Sequence, residues 1–268
     1  MTSASEVVPL PAPADGPVVL TCDGPVATIT LNNPRRKNAM THQGWAALRD
    51  AVREVGAGDF RVLVITGAGT DFCAGADLSG ARSGKHPYLD MRVVADACVG
   101  VHRLAMPVVA RVDGVAVGAG LNLALACDLL VATSRSRFSE IFVKRGLSVD
   151  FGGSWVLPRL VGLHRAKELV LLGDILDAAQ AQEMGLIHRV VEPADLDATV
   201  DALVARLVAG PPMALRLSKQ LLNDSFDSSL EKALDEEGRA QAVNLGMDDA
   251  REAAAAFLER RTPVFRGT

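Results

Sequence analysis

Two bends of small residues and one aspartate carry the chemistry open to this sequence. The first bend, Cys73-Ala74-Gly75-Ala76-Asp77, follows an apolar run at 62–65. The second holds Gly114, Ala116, Gly118, Ala119 and Gly120, and leads into the apolar run 121–126. Small residues at a helix start let a ligand come close to the backbone. They also leave N–H groups pointing outward at the positive end of the helix dipole. Such a spot suits an anion, or a carbonyl oxygen that becomes one. One bend alone reads equally well as tight packing. Two bends, each after a β-type run, offer two donors to one oxygen, which is an oxyanion hole.

An oxyanion hole polarises a thioester carbonyl and stabilises the enolate left when the α carbon loses a proton. A base must then stand near that carbon. Asp150 lies in Leu147-Ser148-Val149-Asp150-Phe151-Gly152-Gly153, among apolar and small neighbours. Burial there makes a carboxylate more basic. The competing role for Asp150 is an N-cap for the segment that starts at Ser154-Trp155. Glu140 reads as a surface or structural glutamate. His42, His86, His102, His164 and His188 form neither a Ser/His/Asp pattern nor HExxH. Cys22, Cys73, Cys98 and Cys127 make no CxxC and are expected to be buried free thiols in a reducing cytosol. No metal site is expected. Gly67-Ala68-Gly69 lacks the third glycine of a dinucleotide fingerprint.

The elements that must position these residues alternate along 268 residues. The chain is 49% hydrophobic and only 4% aromatic, so its core must be aliphatic. A net charge of −4 with no basic run speaks against nucleic acid and an anionic membrane as partners. No apolar run approaches the roughly 20 residues of a membrane span. Residues 1–16 read as a mobile tail and 80–85 as a flexible loop. Strands are expected at 18–20 and 26–31, joined by an Asp23-Gly24 turn. More follow at 62–65, 107–112, 128–132 and 188–191. Helices are expected at 41–56, 88–104, 165–172, 178–184, 193–208 and 213–222. Ser228 with Glu231, and Asp249 with Glu252, read as caps of two last helices. The pattern predicts an α/β fold of superhelical or doubly wound type. No internal repeat is visible.

Several stretches together are specific. LNNPRRKNAM, TGAGTDFCAGADL, VDGVAVGAGLNLALACD, LSVDFGGSWVLPRLVG and AFLERRTPVF resemble the crotonase superfamily of enoyl-CoA hydratases and isomerases. The likeness covers nearly the whole chain, and VDFGGSWVLPRLVG is most similar to the isomerase branch, including isomerases of phenylacetate breakdown. The resemblance implies a crotonase-like ββα superhelix at 17–195 and a helical trimerisation region at 196–268. It implies an acyl-CoA thioester substrate, with CoA part of the substrate and no separate cofactor. It implies a cytoplasmic homotrimer or hexamer. The oxyanion donors become the N–H groups of Ala74 and Ala119. Gly75, Ala76, Asp77, Gly118 and Phe142 line the substrate site, and Asp77 helps shape the CoA-binding turn. One cation of Arg35, Arg36 and Lys37 runs beside the CoA nucleotide; the site list carries Arg36. Phe257 and Arg260 reach the adenine end of CoA on a neighbouring subunit. Hydratases of the family carry two glutamates, and their places hold Asn122 and Phe142 here. That departure points to an isomerase that moves its proton on Asp150. Hydration by altered carboxylates and a non-catalytic CoA-binding scaffold are the alternatives.

Overall fold

The computed structural model describes residues 16–78, 84 and 86–268. The expected tail and the 80–85 loop, expected from the resemblance to lie at the acyl pocket, fall outside those residues, apart from Gly16 and Gly84. The described chain opens with β1 (Val18–Asp23) and β2 (Val26–Leu31), an antiparallel hairpin. Gly24 turns it with φ of 51°, a value that costs glycine little. Helix α1 (His42–Ala57) follows, and the Thr41 hydroxyl accepts the Gly44 N–H at 3.1 Å.

The chain then repeats one unit. A strand enters the large sheet, a short extended segment enters a small one, and a helix returns. β3 (Val62–Gly67), the bridge of Cys73 to Ala116 and α2 (Pro87–His102) make the first turn. β4 (Val108–Val112), β5 (Val115–Val117) and α3 (Ala119–Leu125) make the second. β6 (Leu129–Thr133), β7 (Arg137–Ser139) and α4 (Gly153–Val161) make the third. This is a ββα superhelix. Three-residue strands and a single bridge are too short for any period to register in sequence, which is why the repeat escapes the eye.

Next come α5 (Leu163–Leu172), β8 (Leu176–Asp177), α6 (Ala178–Glu183) and β9 (Arg189–Val191). The large sheet runs β1-β2-β3-β4-β6-β9, parallel from β2 onward, and the small one runs β5-β7-β8. Alternation along the strands gives the large sheet two apolar faces. Ile29, Leu63, Ile65 and Ala110 face the main core with Leu48 and Leu123. Val62, Val64, Val109 and Val131 face α7 (Leu196–Val208) through Leu196, Val200 and Val204. So α7, inside the span assigned to assembly, also covers the sheet.

α8 (Pro212–Asp224), α9 (Leu230–Leu245) and α10 (Asp248–Glu259) complete the chain. The caps of α9 and α10 differ from expectation by one and two residues. Ser229, not Ser228, caps α9 by accepting the Lys232 N–H, and Met247 stands at the start of α10. Asp249 instead accepts the N–H groups of Arg266 and Gly267, and Glu252 accepts Arg261 and the Val264 N–H. Both acids fasten the C-terminal segment. The cysteines are free, but only Cys73 is buried; Cys98 and Cys127 are half-buried, and Cys22, on the edge strand β1, is exposed. No single described helix is long and apolar enough to cross a membrane.

Candidate active site

The two small-residue bends meet. A Cβ placed on Gly75 would lie 2.8 Å from the Val117 oxygen and 3.5 Å from the Ala119 nitrogen. A Cβ on Gly120 would run into the Cys73 carbonyl. Glycine at both positions is therefore what lets β5–α3 press onto the first bend. Gly118 precedes α3 at φ 54° and ψ −130°, a conformation open to glycine, and its N–H donates to Ser139 O at 2.8 Å. Ala119 is not among the residues of positive φ, so alanine fits where the family often has glycine.

The donors differ in part from expectation. The Ala74 N–H is already spent, donating to Lys37 O at 2.8 Å. Ala74 thus anchors the bend to the 37–40 loop and is not an open donor. Around it the bridge of Met40 to Ala76 forms, with the Met40 N–H donating to Gly75 O and the Asp77 N–H to Met40 O. Among the described residues the N–H groups of Ala76 and Ala119 donate to no backbone acceptor. The sequence shows only which bend is small. Which N–H stays open depends on pairing with residues 37–40, and no local pattern records that.

Asp77 takes Arg36 in a two-oxygen ion pair at 2.7 and 2.8 Å. This pair clamps the basic loop to the bend. Phe142 is buried, and its ring tip lies 3.5 Å from where a Gly118 Cβ would be. It thus walls the second bend. Phe257 and Arg260 sit exposed at the end of α10.

Asp150 does not cap α4. Gly152 holds the cap position without any side-chain bond. Asp150 is instead presented by a sharp turn in which Phe151 and Gly152 are both left-handed, at φ 47° and 79°. Such a φ is costly for phenylalanine and persists only where packing imposes it. The Phe151 ring is buried 5.2 Å from the Trp45 ring, and its carbonyl accepts the Cys98 thiol at 3.3 Å. The Asp150 Oδ1 is buried with no partner among the described residues. Burial pushes this carboxyl up to about 6.

Asn122 and Glu140 sit beside it. The Asn122 Nδ2 donates to Asp150 O at 2.9 Å and to Glu140 Oε2 at 3.3 Å. Glu140 is fully buried, not on the surface. A helical offset from Phe142 would have turned it away, but the helix begins only after it. Glu140 follows β7 directly, and a 3-10 turn starts only at Ile141. Burial pushes the Glu140 carboxyl up to about 8; the Asn122 hydrogen bond pulls it down and the Asp150 charge raises it further. Its Oε1 and the Asn122 Oδ1 are buried without partners among the described residues. The signal that could have found it is a glutamate directly after the short segment Arg137-Phe138-Ser139, whose Phe138 and Ser139 turn inward.

The two small-residue bends pack together, and the helix after the second bend is tied to the turn that carries Asp150. The chain belongs to the enoyl-CoA hydratase/isomerase family, whose model matches residues 21–268. It is thus an acyl-CoA enzyme of the crotonase fold. It is 40% identical over 249 residues to the 1,2-epoxyphenylacetyl-CoA isomerase of Escherichia coli, covering 90% of this chain and 95% of that protein. The enoyl-CoA hydratase of Mycobacterium smegmatis superposes with a TM-score of 0.88 at 33% identity, covering 94% of this chain and 99% of that one. A Thermobifida fusca relative solved in complex with CoA superposes with a TM-score of 0.80 at 36% identity, covering 85% and 93%.

Proposed function

We propose that this protein is an enoyl-CoA isomerase that shifts a double bond of a CoA thioester with Asp150 as its single acid/base. The observation that carries this is the Asp150 carboxyl itself, its Oδ1 buried and unpartnered among the described residues and its pKa raised to about 6. The N–H groups of Ala76 and Ala119 hold the thioester oxygen. The Asp150 carboxylate takes the α proton, and the C–H electron pair flows into the carbonyl as an enolate. In a 3-enoyl thioester that enolate is allylic, so its charge reaches the γ carbon. The Asp150 acid returns the proton there, an electron pair of the dienolate forms the γ C–H bond, the carbonyl is restored, and the double bond ends conjugated with it as a 2-enoyl thioester. No water is consumed. Hydration needs a group to deprotonate water, and the two places used for it in family hydratases hold Asn122 and Phe142. Arg36 and the 37–40 loop take the CoA end.

The reading includes assembly as a trimer or a dimer of trimers. Leu222, Phe226, Leu230, Leu234, Leu245 and Leu258 all lie at least half exposed on α8–α10 or the turn between them. Burying such surface is favourable at about 25 cal/mol per Å². Phe257 and Arg260 then reach the CoA of a neighbouring subunit. Light scattering at micromolar concentration should give three or six subunits; a monomer refutes this part.

The test of the activity is a substrate panel. Wild-type enzyme should convert a 3-enoyl-CoA to its 2-enoyl isomer and add little water to 2-enoyl-CoA. An epoxidised phenylacetyl thioester belongs in the panel, because the Escherichia coli relative is named for that substrate. Turnover by hydration alone overturns the reading.

A further inference from the structure

We propose that Glu140 is a positioning residue for the proton transfer: as a neutral carboxylic acid it holds the Asn122 amide, and that amide holds the turn that aims Asp150. The inference rests on the isomerase reading above. Its basis is the geometry of one nitrogen. The Asn122 Nδ2 has two hydrogens, and both are spent, one on Asp150 O at 2.9 Å and one on Glu140 Oε2 at 3.3 Å. Without Glu140 the amide is free to rotate, and its grip on the Asp150 turn is lost. That turn resists relaxation poorly, since it already contains Phe151 at φ 47°.

Glu140 is fully buried, with Oε1 unpartnered among the described residues. A buried glutamate in an apolar enzyme interior is costly unless it has a task. A purely structural role would be met as well by an apolar side chain of similar volume.

The protonation state matters. The ionisable group facing Glu140 is Asp150, on the turn before α4. α3 contributes the neutral Asn122. The Gly173 corner packs on its backbone, where a Cβ added to Gly173 would lie 3.2 Å from the Glu140 main-chain oxygen. Lys144 and Arg145, on its own 3-10 turn, are exposed, and Lys144 pairs with Asp174 at 3.0 Å. Among the described residues no cation pairs with it, and burial makes Glu140 ionise late, at about 8. Above that pH two carboxylates share one buried site and repel. The pair therefore works with Asp150 charged and Glu140 neutral, a separation typical of acid/base sites.

The experiment compares Glu140→Ala, Glu140→Gln and Asp150→Asn on a 3-enoyl-CoA from pH 5 to pH 9. Glu140→Ala should lose on the order of tenfold to a hundredfold in kcat through misplacement of the base. Its KM should change by about twofold or less, since the lost term is one of orientation. Glu140→Gln should restore most of kcat at neutral pH and abolish the alkaline fall, because glutamine cannot ionise. An alkaline fall that persists in Glu140→Gln overturns the proposal, as does an unchanged kcat in a folded Glu140→Ala. If Asp150→Asn keeps full activity, the isomerase reading fails instead, so the two failures are distinguishable.

Discussion

The side-chain nitrogen of Asn122 donates to the main-chain oxygen of Asp150 at 2.9 Å, which ties the helix that begins at Ala119 to the turn that carries Asp150. A Cβ on Gly153 would fall 2.5 Å from that nitrogen and 2.5 Å from Val149 Cγ2. Gly153→Ala should therefore push the amide off the turn. Overpacking of this kind costs typically about 1–3 kcal/mol. Urea unfolding should show that loss, and kcat should fall more than KM rises. Wild-type stability and kcat would remove the tie from the account.

The assignment of the oxyanion donors to Ala76 and Ala119 has its own test. Proline removes an N–H. Loss of one oxyanion donor is typically worth about 2.7–4 kcal/mol of transition-state stabilisation. Ala119→Pro and Ala76→Pro should each lose that much in kcat/KM, with folding checked by circular dichroism. Ala119→Gly should retain much of the activity, because the donor is backbone. A folded proline variant with normal turnover would show that its N–H is not a donor.

Much of this site was legible in the sequence, because glycine and alanine in tight bends leave a mark that periodicity cannot hide. Both bends, the helix after Gly118, and Asp150 between apolar neighbours are all visible there. The open donor was not. Ala74 and Ala76 are the same residue type in the same bend, and only the long-range bond from Ala74 to Lys37 O separates them. Glu140 was missed for a related reason. Its side chain direction depends on where an extended segment gives way to a 3-10 turn, and a one-residue change there decides between core and solvent. The superhelical repeat escaped notice because its second strands are three residues long or less.

Asp150 should weaken the fold at neutral pH, and the sign follows from its raised value. Its ordinary value is 3.8, and burial lifts it to about 6. A carboxyl raised on folding gives its full stabilisation below the unfolded value and loses it as pH rises through the folded one. Asp150→Asn stays neutral throughout. It should match wild type near pH 4 and become more stable by about 1–3 kcal/mol at pH 7. Urea unfolding of both proteins across that range measures it. A difference that does not grow with pH would mean that Asp150 ionises normally.

The most direct measurement of the central claim is isomerisation of a 3-enoyl-CoA in heavy water by wild type and Asp150→Asn, with CoA-thioester binding measured alongside. A positioned acid/base is typically worth about 10²–10⁴-fold. The account predicts that wild type exchanges the α proton and shifts the double bond, with rates rising through an acidic limb near 6. Asp150→Asn should lose at least a hundredfold in both, on the scale of a missing acid/base. Its affinity for the thioester should stay close to wild type, because asparagine is nearly isosteric. Retained exchange and isomerisation in a folded Asp150→Asn would contradict the account.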